Sequence, residues 1–158
     1  MNRIFNRNIA FSKSNHQYSK SLALDIDCNK GYSTELLSIL NNDKNFEYIG
    51  IDDNLENIEY AKKIFPIHQF LLNDINIIDN KKIIEPIFQI IQINQRSFDL
   101  WNNIDIISKI IKKDGNLWIY NEKNTKFNYF PKELNEYFSI DKIYLPNKII
   151  KYSIWKKI

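Results

Sequence analysis

Residues 22–40 combine an apolar run, a polar turn and an amphipathic helical pattern, and this order constrains the fold more than any other stretch. The run 22–26 predicts a strand that carries the acid Asp25 near its end. The only glycine of the turn is Gly31. Because the first N–H groups of a helix point into such a turn, the stretch predicts a cradle for a phosphate or a cofactor.

The helical pattern covers residues 33–40 and places three leucines on one face, Leu36, Leu37 and Leu40. Ser33 or Thr34 is available as its N-cap. Glu35 lies in the first turn, where a negative charge suits the helix dipole. We therefore expect a helix with one apolar face to follow the turn directly.

Strand and helix patterns alternate along the rest of the chain. Further strands are predicted at residues 46–51, 70–72, 87–93 and 116–120. Further helices are predicted at residues 55–65, 100–111 and 132–138. Such alternation specifies a parallel sheet with right-handed crossovers.

Two final strands, at residues 140–145 and 148–155, flank the short turn formed by Pro146 and Asn147. A two-residue turn predicts that these strands pair antiparallel. The whole pattern therefore predicts an α/β fold of the Rossmann-like, doubly wound kind. Its seven-stranded sheet is mostly parallel and ends in a C-terminal antiparallel hairpin.

The ends of two helices carry local signals. Asp53 and Glu56 have the form of a capping box at the start of the second helix. Lys112 and Lys113 suit the negative end of the third helix. Gly115 is predicted in the left-handed position that closes that helix.

Length and composition favour one globular domain. The chain has 158 residues, of which 44% are apolar and 14% aromatic. We expect an N-terminal arm at residues 1–21 and a single domain at residues 22–158. One cysteine, Cys28, excludes an internal disulfide and a cysteine-based zinc site. No apolar run approaches the ~20 residues of a membrane span and no signal-peptide core is present, so we expect a cytoplasmic protein without membrane contact.

The net charge of +3 does not demand a polyanionic partner. Residues 1–20 and the tail after Lys142 are basic, and a solvated basic fringe is favoured over a nucleic-acid footprint. Phe5, Phe11 and Tyr18 in the arm could cover a groove as a lid or pack on the core, and both alternatives stay open. His16 and His68 are interpreted as structural.

Residues 24–34 read L-D-I-D-C-N-K-G-Y-S-T. This stretch resembles the first motif of the class I S-adenosylmethionine-dependent methyltransferases, and with residues 33–37 it is similar to the trans-aconitate methyltransferase branch. In that motif an acid, here Asp25, is followed at alternate positions by three glycines. Asp27 and Asn29 stand at the first two glycine positions and Gly31 at the third. The resemblance implies S-adenosyl-L-methionine as the cofactor and contacts to it from these four residues.

Residues 48–52 and 57–62 resemble the second motif of that family. The strand-end acid there accepts hydrogen bonds from both ribose hydroxyls, which implies this role for Asp52, with Asp53 beside it. Asp52 follows Gly31 by 21 positions, close to the ~20 residues typical of a ribose-binding acid. A helix-capping role is the alternative for Asp52, but Asp53 is expected to serve as the cap.

Two further stretches carry the resemblance. Residues 72–75 resemble the third motif, which implies contacts of Asp74 with the adenine amino group and of the Ile75 backbone with the ring. A plain loop acid is the alternative for Asp74. Residues 94–96 occupy the place of the catalytic and substrate loop, so Asn94 is expected near the cofactor. Arg96 and Trp101 are expected near the substrate, with solvated surface as the alternative for Arg96.

The two replaced glycines carry a cost. A non-glycine residue in the left-handed region costs ~1–2 kcal/mol, although Asn tolerates it better than most. A combined cost of ~3 kcal/mol would weaken a micromolar cofactor site to about 0.1 mM. We therefore expect binding of the cofactor to be weakened and not lost.

Three functions remain open. The first is methyl transfer to a small molecule, for which a carboxylate acceptor fits because it needs no general base and Arg96 could grip it. The second is a catalytically degenerate protein of the same fold that binds a partner or a nucleoside. The third is a nucleic-acid methyltransferase, motivated by the basic ends. The catalytic residues stay unassigned, and no metal is expected.

Overall fold

The computed structural model describes residues 20–72, 86–94, 100–122, 134–144 and 150–158. In chain order the elements are β1 (Ser21–Ile26), α1 (Tyr32–Asn41), β2 (Phe46–Asp52), α2 (Leu55–Ile64), β3 (Gln69–Leu72), β4 (Phe88–Asn94), α3 (Leu100–Ile110), β5 (Ile111–Glu122), α4 (Leu134–Tyr137), β6 (Phe138–Tyr144) and β7 (Ile150–Lys157). Strands and helices alternate as the sequence predicts.

All seven strands form one sheet in the order β3-β2-β1-β4-β5-β7-β6. The first five strands pair in parallel, and β7 pairs antiparallel with both β5 and β6. The predicted fold class is therefore confirmed, including the C-terminal hairpin. The strand order reverses between β1 and β4, and in open α/β sheets the crevice at the carboxyl ends of such strands is where ligands bind.

The sheet is covered on both faces. On one face, α3 and α4 bury Ile104, Ile107 and Leu134 against the strands. On the other face, α1 places Leu37 in a second apolar cluster with Ala23 of β1. A third cluster links α2 to β3 and to the turn after β1, through Ile58, Ala61, Phe70 and Cys28. No helix among the described parts of the chain is long and apolar enough to cross a membrane.

The prediction for the start of α1 is wrong. The helix begins at Tyr32 with Gly31 as its N-cap, and no side chain caps it. Ser33 and Thr34 instead turn inward and donate hydrogen bonds to Asp25. A buried carboxylate needs donors more than an exposed helix end does, because water can satisfy the latter.

The predicted capping box of α2 is also wrong. The N-cap is Asn54, whose side chain accepts hydrogen bonds from the backbone N–H groups of Glu56 and Asn57. Asp53 lies one position too early for this role and is exposed. Asn caps a helix about as well as Asp.

The end of α3 differs from the prediction as well. The left-handed residue after this helix is Asp114, with a φ of 64°, and not Gly115. The helix ends at Ile110 and β5 follows at once. Asp114 therefore lies inside β5 and does not cap the helix. Aspartate tolerates left-handed backbone better than most residues. The predicted turn at Pro146 and Asn147 lies outside the described residues.

Gly50 of β2 allows β3, the turn after β1 and α1 to pack closely against this strand. A Cβ atom there would lie 2.7 Å from Phe70 Cδ1 and 2.8 Å from both Cys28 Sγ and Thr34 Oγ1. We predict that Gly50→Ala lowers the free energy of unfolding by ~1–3 kcal/mol, the usual cost of overpacking. Urea unfolding measures it, with the exposed Lys44→Ala as the control. Equal stability of the Gly50→Ala variant and the native chain would contradict this packing.

Candidate functional site

The turn after β1 alternates left-handed residues at the three positions where the sequence motif has its glycines. The φ angles are 56° at Asp27, 49° at Asn29 and 86° at Gly31. The Asn29 side-chain amide donates a 2.8 Å hydrogen bond to the Asp27 carbonyl, and this local bond supports the turn. Aspartate and asparagine enter the left-handed region more easily than other side-chain-bearing residues. The left-handed path at alternate positions is therefore formed by Asp27 and Asn29 as well as by Gly31.

Gly31 is the position where a side chain does not fit. A Cβ atom there would lie 2.9 Å from both Ala61 Cβ and Phe70 Cζ. The Gly31 N–H donates to the Cys28 carbonyl at 2.9 Å and closes the turn. The absence of a side chain at Gly31 thus allows the turn to pack closely against α2 and β3.

Asp25 lies at the centre of a buried polar network and has no exposed surface. Its Oδ2 accepts hydrogen bonds from Ser33 Oγ at 2.6 Å and Thr34 Oγ1 at 2.8 Å. Its Oδ1 accepts one from Gln92 Nε2 at 3.0 Å. Burial raises the pKa of Asp25 from an ordinary 3.8 to about 6, against the lowering effect of these three hydrogen bonds. Asp25, which the sequence predicts as a cofactor ligand, is therefore a buried carboxylate that already accepts three hydrogen bonds from the chain itself.

Gln92 extends this network across the sheet. Its Nε2 also donates to the Ser33 carbonyl at 3.0 Å, and its Oε1 accepts from the Tyr152 hydroxyl at 3.0 Å. Gln92 and Tyr152 are both fully buried. The network joins β1, α1, β4 and β7, so it holds the start of α1 against the middle of the sheet.

Asp52 at the end of β2 ties this strand to the turn. Its Oδ2 accepts the Asn29 backbone N–H at 2.8 Å. Its Oδ1 accepts the Asn54 backbone N–H at 3.0 Å and the Asn57 Nδ2 at 3.2 Å. Asp52 is only 5% exposed. The residue predicted to bind ribose therefore also holds the turn and the first turn of α2 in place.

A cleft of about 300 Å³ lies directly over the turn. Its lining residues come from the turn, from the starts of α1 and α2 and from β5, and they are Cys28, Asn29, Lys30, Tyr32, Ser33, Asn57 and Tyr120. Asp27 is not one of them. A volume of this size lies at the lower end of ordinary ligand sites. The bulk of the Asp27 side chain consequently does not line the cleft.

A group of aromatic side chains lies beside the cleft on the α2 side and includes Tyr32 of its lining. The hydroxyl groups of Tyr32 and Tyr60 lie 3.0 Å apart, and the Tyr32 ring meets Phe65 edge-on at 5.2 Å. Lys30 Nζ lies 5.3 Å from the centre of the Tyr60 ring. Lys30 is the one charged side chain in the cleft lining among the described residues.

Tyr120 lines the cleft on its opposite side. Burial and then the charge of Asp25 raise the pKa of Tyr120, while hydrogen bonding with Ser33 and Asn94 opposes this shift. The hydroxyl therefore stays protonated at neutral pH. Asn94, predicted near the cofactor, ends β4 and is brought close to Tyr120.

A second cavity, of about 380 Å³, lies at the opposite edge of the sheet, around the start of β2 and the residues before β3. His68 lines it, and His68 Nε2 lies 2.7 Å from Glu35 Oε2. This cavity is larger than the cleft but lies away from the turn and from the carboxyl ends of the strands. Ligands of open α/β sheets bind at the carboxyl ends, so the cleft over the turn is the candidate site.

The structure describes the other predicted site residues only in part. Asp53 is exposed and lies beside Asp52. Asp74, Ile75 and Arg96 lie outside the described residues. Trp101 belongs to the first turn of α3, but its side chain is outside the described part. Within the described ranges, no group of three or more His, Cys, Asp or Glu residues could hold a metal ion.

Sequence reasoning gave no site role to two residues of the buried network, Gln92 and Tyr152. It also gave none to six residues of the cleft lining, Cys28, Lys30, Tyr32, Ser33, Asn57 and Tyr120. One signal was available for Gln92, because a polar residue inside a strand buried on both faces requires a buried partner. Tyr120 follows an apolar strand at its carboxyl end, which is where ligands bind. No local pattern distinguishes Asn57 or Tyr152 from other polar residues of the chain.

Several solved structures to which the chain is similar are methyltransferases. The chain is similar to an S-adenosylmethionine-dependent methyltransferase from Aquifex aeolicus, with a TM-score of 0.60 and 16% identity over 89% of this chain and 85% of that one. It is similar to a TehB-like S-adenosylmethionine-dependent methyltransferase from Corynebacterium glutamicum, with a TM-score of 0.57 and 16% identity over 87% and 80%.

A third similar structure is a 16S rRNA (adenine(1408)-N(1))-methyltransferase from Catenulisporales acidiphilia, crystallised with S-adenosylmethionine as cosubstrate. Its TM-score is 0.59 at 9% identity, over 89% of this chain and 86% of that one. Comparison with protein-family models and with curated protein sequences finds no match. At these identities the likeness establishes the fold, which is that of the S-adenosylmethionine-dependent methyltransferases.

The left-handed conformation of Asn29 is testable with two substitutions. Asn29→Gly and Asn29→Ala both remove the side-chain hydrogen bond to Asp27, but only alanine is strained at positive φ. We predict that the alanine variant is less stable than the glycine variant by ~1–2 kcal/mol in urea unfolding. An alanine variant as stable as the glycine variant would contradict the left-handed turn.

The pKa of Asp25 predicts a specific pH dependence of stability. Because the pKa in the folded chain is about 6, above the ordinary 3.8, the proton stabilises the folded state fully below pH 3.8. That contribution is lost as the pH rises through 6. It corresponds to about 2 kcal/mol between pH 4 and pH 7.5.

The Asp25→Asn variant isolates this effect, because the amide that replaces the carboxyl group stays neutral at every pH. The hydroxyl groups of Ser33 and Thr34, which both donate to Asp25 Oδ2, can rotate to accept from the amide NH2 group. We expect the native chain to lose stability relative to the variant across this pH interval in urea unfolding. Parallel stability curves for the two proteins would show that Asp25 has an ordinary pKa.

Proposed function

We propose that the chain binds S-adenosyl-L-methionine in the cleft over residues 27–31 and transfers its methyl group to an acceptor. The observation that carries this proposal is the left-handed backbone at all three glycine positions of the motif, at Asp27, Asn29 and Gly31. The Asn29 side chain and Asp52 hold this path through hydrogen bonds within the chain, so the turn has the backbone shape that the cofactor motif requires. The similar solved structures support the same cofactor.

The residues around the cleft suit the parts of this ligand. Asp52 would accept a hydrogen bond from the ribose, and the first N–H groups of α1 together with Lys30 would face the ligand carboxylate. Asn94 would approach the cofactor from β4. Contacts of Asp74 and Ile75 with the adenine, and a contact of Asp53 with the cofactor beside Asp52, are carried over from the motifs and remain part of the proposal.

When bound, S-adenosylmethionine supplies a methyl group on a sulfonium for in-line displacement. The main contribution of the chain is then to align the acceptor with that methyl group. The anions of Asp25 and Asp52 lie behind the cleft, where they favour a cationic ligand. Tyr120 stays protonated and offers a hydrogen-bond donor from β5.

For the acceptor we propose a small molecule, with a carboxylate as the preferred class. The similarity of the first motif to the trans-aconitate branch supports it, and Arg96 and Trp101 would contact such an acceptor. A carboxylate needs no general base, which agrees with the interpretation of His16 and His68 as structural. The proposed location is the cytoplasm, where the cofactor and such acceptors occur together.

A second candidate is a protein that binds the cofactor or a nucleoside without catalysis. The side chains of Asp27 and Asn29, at positions where the family has glycines, favour it. Methyl transfer from labelled S-adenosylmethionine to a panel of di- and tricarboxylates separates the two candidates. Transfer to tRNA or duplex nucleic acid with none to the panel would instead indicate a nucleic-acid methyltransferase.

Calorimetric titration with S-adenosylhomocysteine tests the site itself. We predict binding at or below about 0.1 mM for the native chain. Asp52→Ala should abolish binding, because it removes both the acceptor proposed for the ribose and the hydrogen bond from the Asn29 N–H that holds the turn. Glu59→Ala is the matched control, since Glu59 is an exposed acid of α2 away from the cleft and its loss should leave binding unchanged.

Thermal melting must accompany this titration, because Asp52 makes three hydrogen bonds within the chain. A folded Asp52→Ala variant that binds as tightly as the native chain would remove Asp52 from the site. Absence of heat with the native chain at millimolar ligand would contradict the proposed function, and the fold would remain.

A further inference from the structure

The hydrogen-bond capacity of Asp52 is nearly exhausted by the chain itself. A carboxylate offers about four acceptor positions, two on each oxygen. The Asn54 N–H and the Asn57 side-chain amide fill both positions on Oδ1, at 3.0 Å and 3.2 Å. The Asn29 N–H fills one on Oδ2 at 2.8 Å. One acceptor position is left for a ligand.

A ribose presents two vicinal hydroxyl groups to such an acid. Asp52 can accept from one of them without giving up a contact that holds the turn or α2. The second hydroxyl group therefore needs a different acceptor close to Asp52. Leaving a buried hydroxyl without a partner costs binding free energy.

Among the described residues that line the cleft, Asn57 is the one whose side chain contacts Asp52 directly, with 3.2 Å between Asn57 Nδ2 and Asp52 Oδ1. Because a carboxylate only accepts hydrogen bonds, the Asn57 side chain must turn its nitrogen toward Asp52. The carbonyl oxygen is then directed away from Asp52, and no partner for it occurs among the described residues. Asn57 is half-buried in the first turn of α2 and lines the cleft.

We propose that Asp52 and Asn57 form a two-residue site for a vicinal diol, in which Asp52 accepts from one hydroxyl group and Asn57 Oδ1 accepts from the other. This inference rests on the proposed function and adds the source of its nucleoside specificity. Asn57 acts twice, since its nitrogen orients Asp52 while its oxygen contacts the ligand. The site consequently selects ribonucleoside ligands over deoxyribonucleoside ones at both hydroxyl groups.

Binding of three ligands to two variants tests the proposal. The ligands are S-adenosylhomocysteine and its 2′-deoxy and 3′-deoxy counterparts, titrated by calorimetry. Asn57→Leu keeps the size and shape of the side chain but removes the acceptor. Lys63→Ala, at an exposed position of the same helix away from the cleft, is the matched control. Thermal melting establishes that each variant is folded.

We expect Asn57→Leu to weaken S-adenosylhomocysteine binding by about 3- to 10-fold. One deoxy ligand, the one lacking the hydroxyl group that Asn57 accepts, should lose clearly less affinity, because for this ligand the substitution removes only the bond that orients Asp52. The other deoxy ligand should lose the same factor as S-adenosylhomocysteine. Lys63→Ala should bind all three ligands as the native chain does.

Two results would overturn the proposal. A uniform loss for all three ligands would mean that Asn57 only orients Asp52. Unchanged or tighter binding in Asn57→Leu would mean that Asn57 competes with the ligand for Asp52, which then accepts both hydroxyl groups. Failure of the native chain to bind S-adenosylhomocysteine at all is a different result, since it contradicts the proposed function first.

Discussion

The buried carboxylate of Asp25 is the interaction on which the rest of the structure depends. A charge without solvent contact must be satisfied by the chain, and Ser33, Thr34 and Gln92 supply the three donors. These donors come from α1 and β4, so satisfying the charge draws both elements onto β1. Tyr152 completes the arrangement by donating to Gln92 from β7. The start of α1 is thereby placed at the carboxyl edge of the sheet, where Tyr32 and Ser33 line the cleft.

The turn over that edge shows that residues other than glycine can form such a backbone path if they reach the same φ angles. Asp27 and Asn29 meet the requirement with positive φ and a local hydrogen bond. Gly31 is different, because neighbouring side chains leave no room for a Cβ atom. Asp52 holds this turn through the Asn29 N–H. The same carboxylate that would receive a ligand therefore keeps the turn in shape, which limits what it can offer to the ligand.

The strands and their pairing were predictable from the sequence, because periodicity and short connections act over neighbouring residues. The parts that could not be predicted depend on distant contacts. Gln92 meets Asp25 across 67 positions of sequence, and no local pattern indicates which buried acid a strand glutamine will join. The helix starts were also predicted wrongly. Ser33 donates to Asp25 and does not cap α1, and Asn54 caps α2 in place of the expected Asp53. Asp114, and not Gly115, has the left-handed backbone.

We propose that the turn of residues 27–31 has the shape of a cofactor site although Asp27 and Asn29 carry side chains. A crystal structure of the chain with S-adenosylhomocysteine tests it most directly. The account predicts the ligand across the carboxyl ends of β1 and β2, with a ribose hydroxyl group on Asp52 and positive φ at Asp27 and Asn29. A ligand bound elsewhere, or a turn in which these two residues leave the left-handed region, would contradict it.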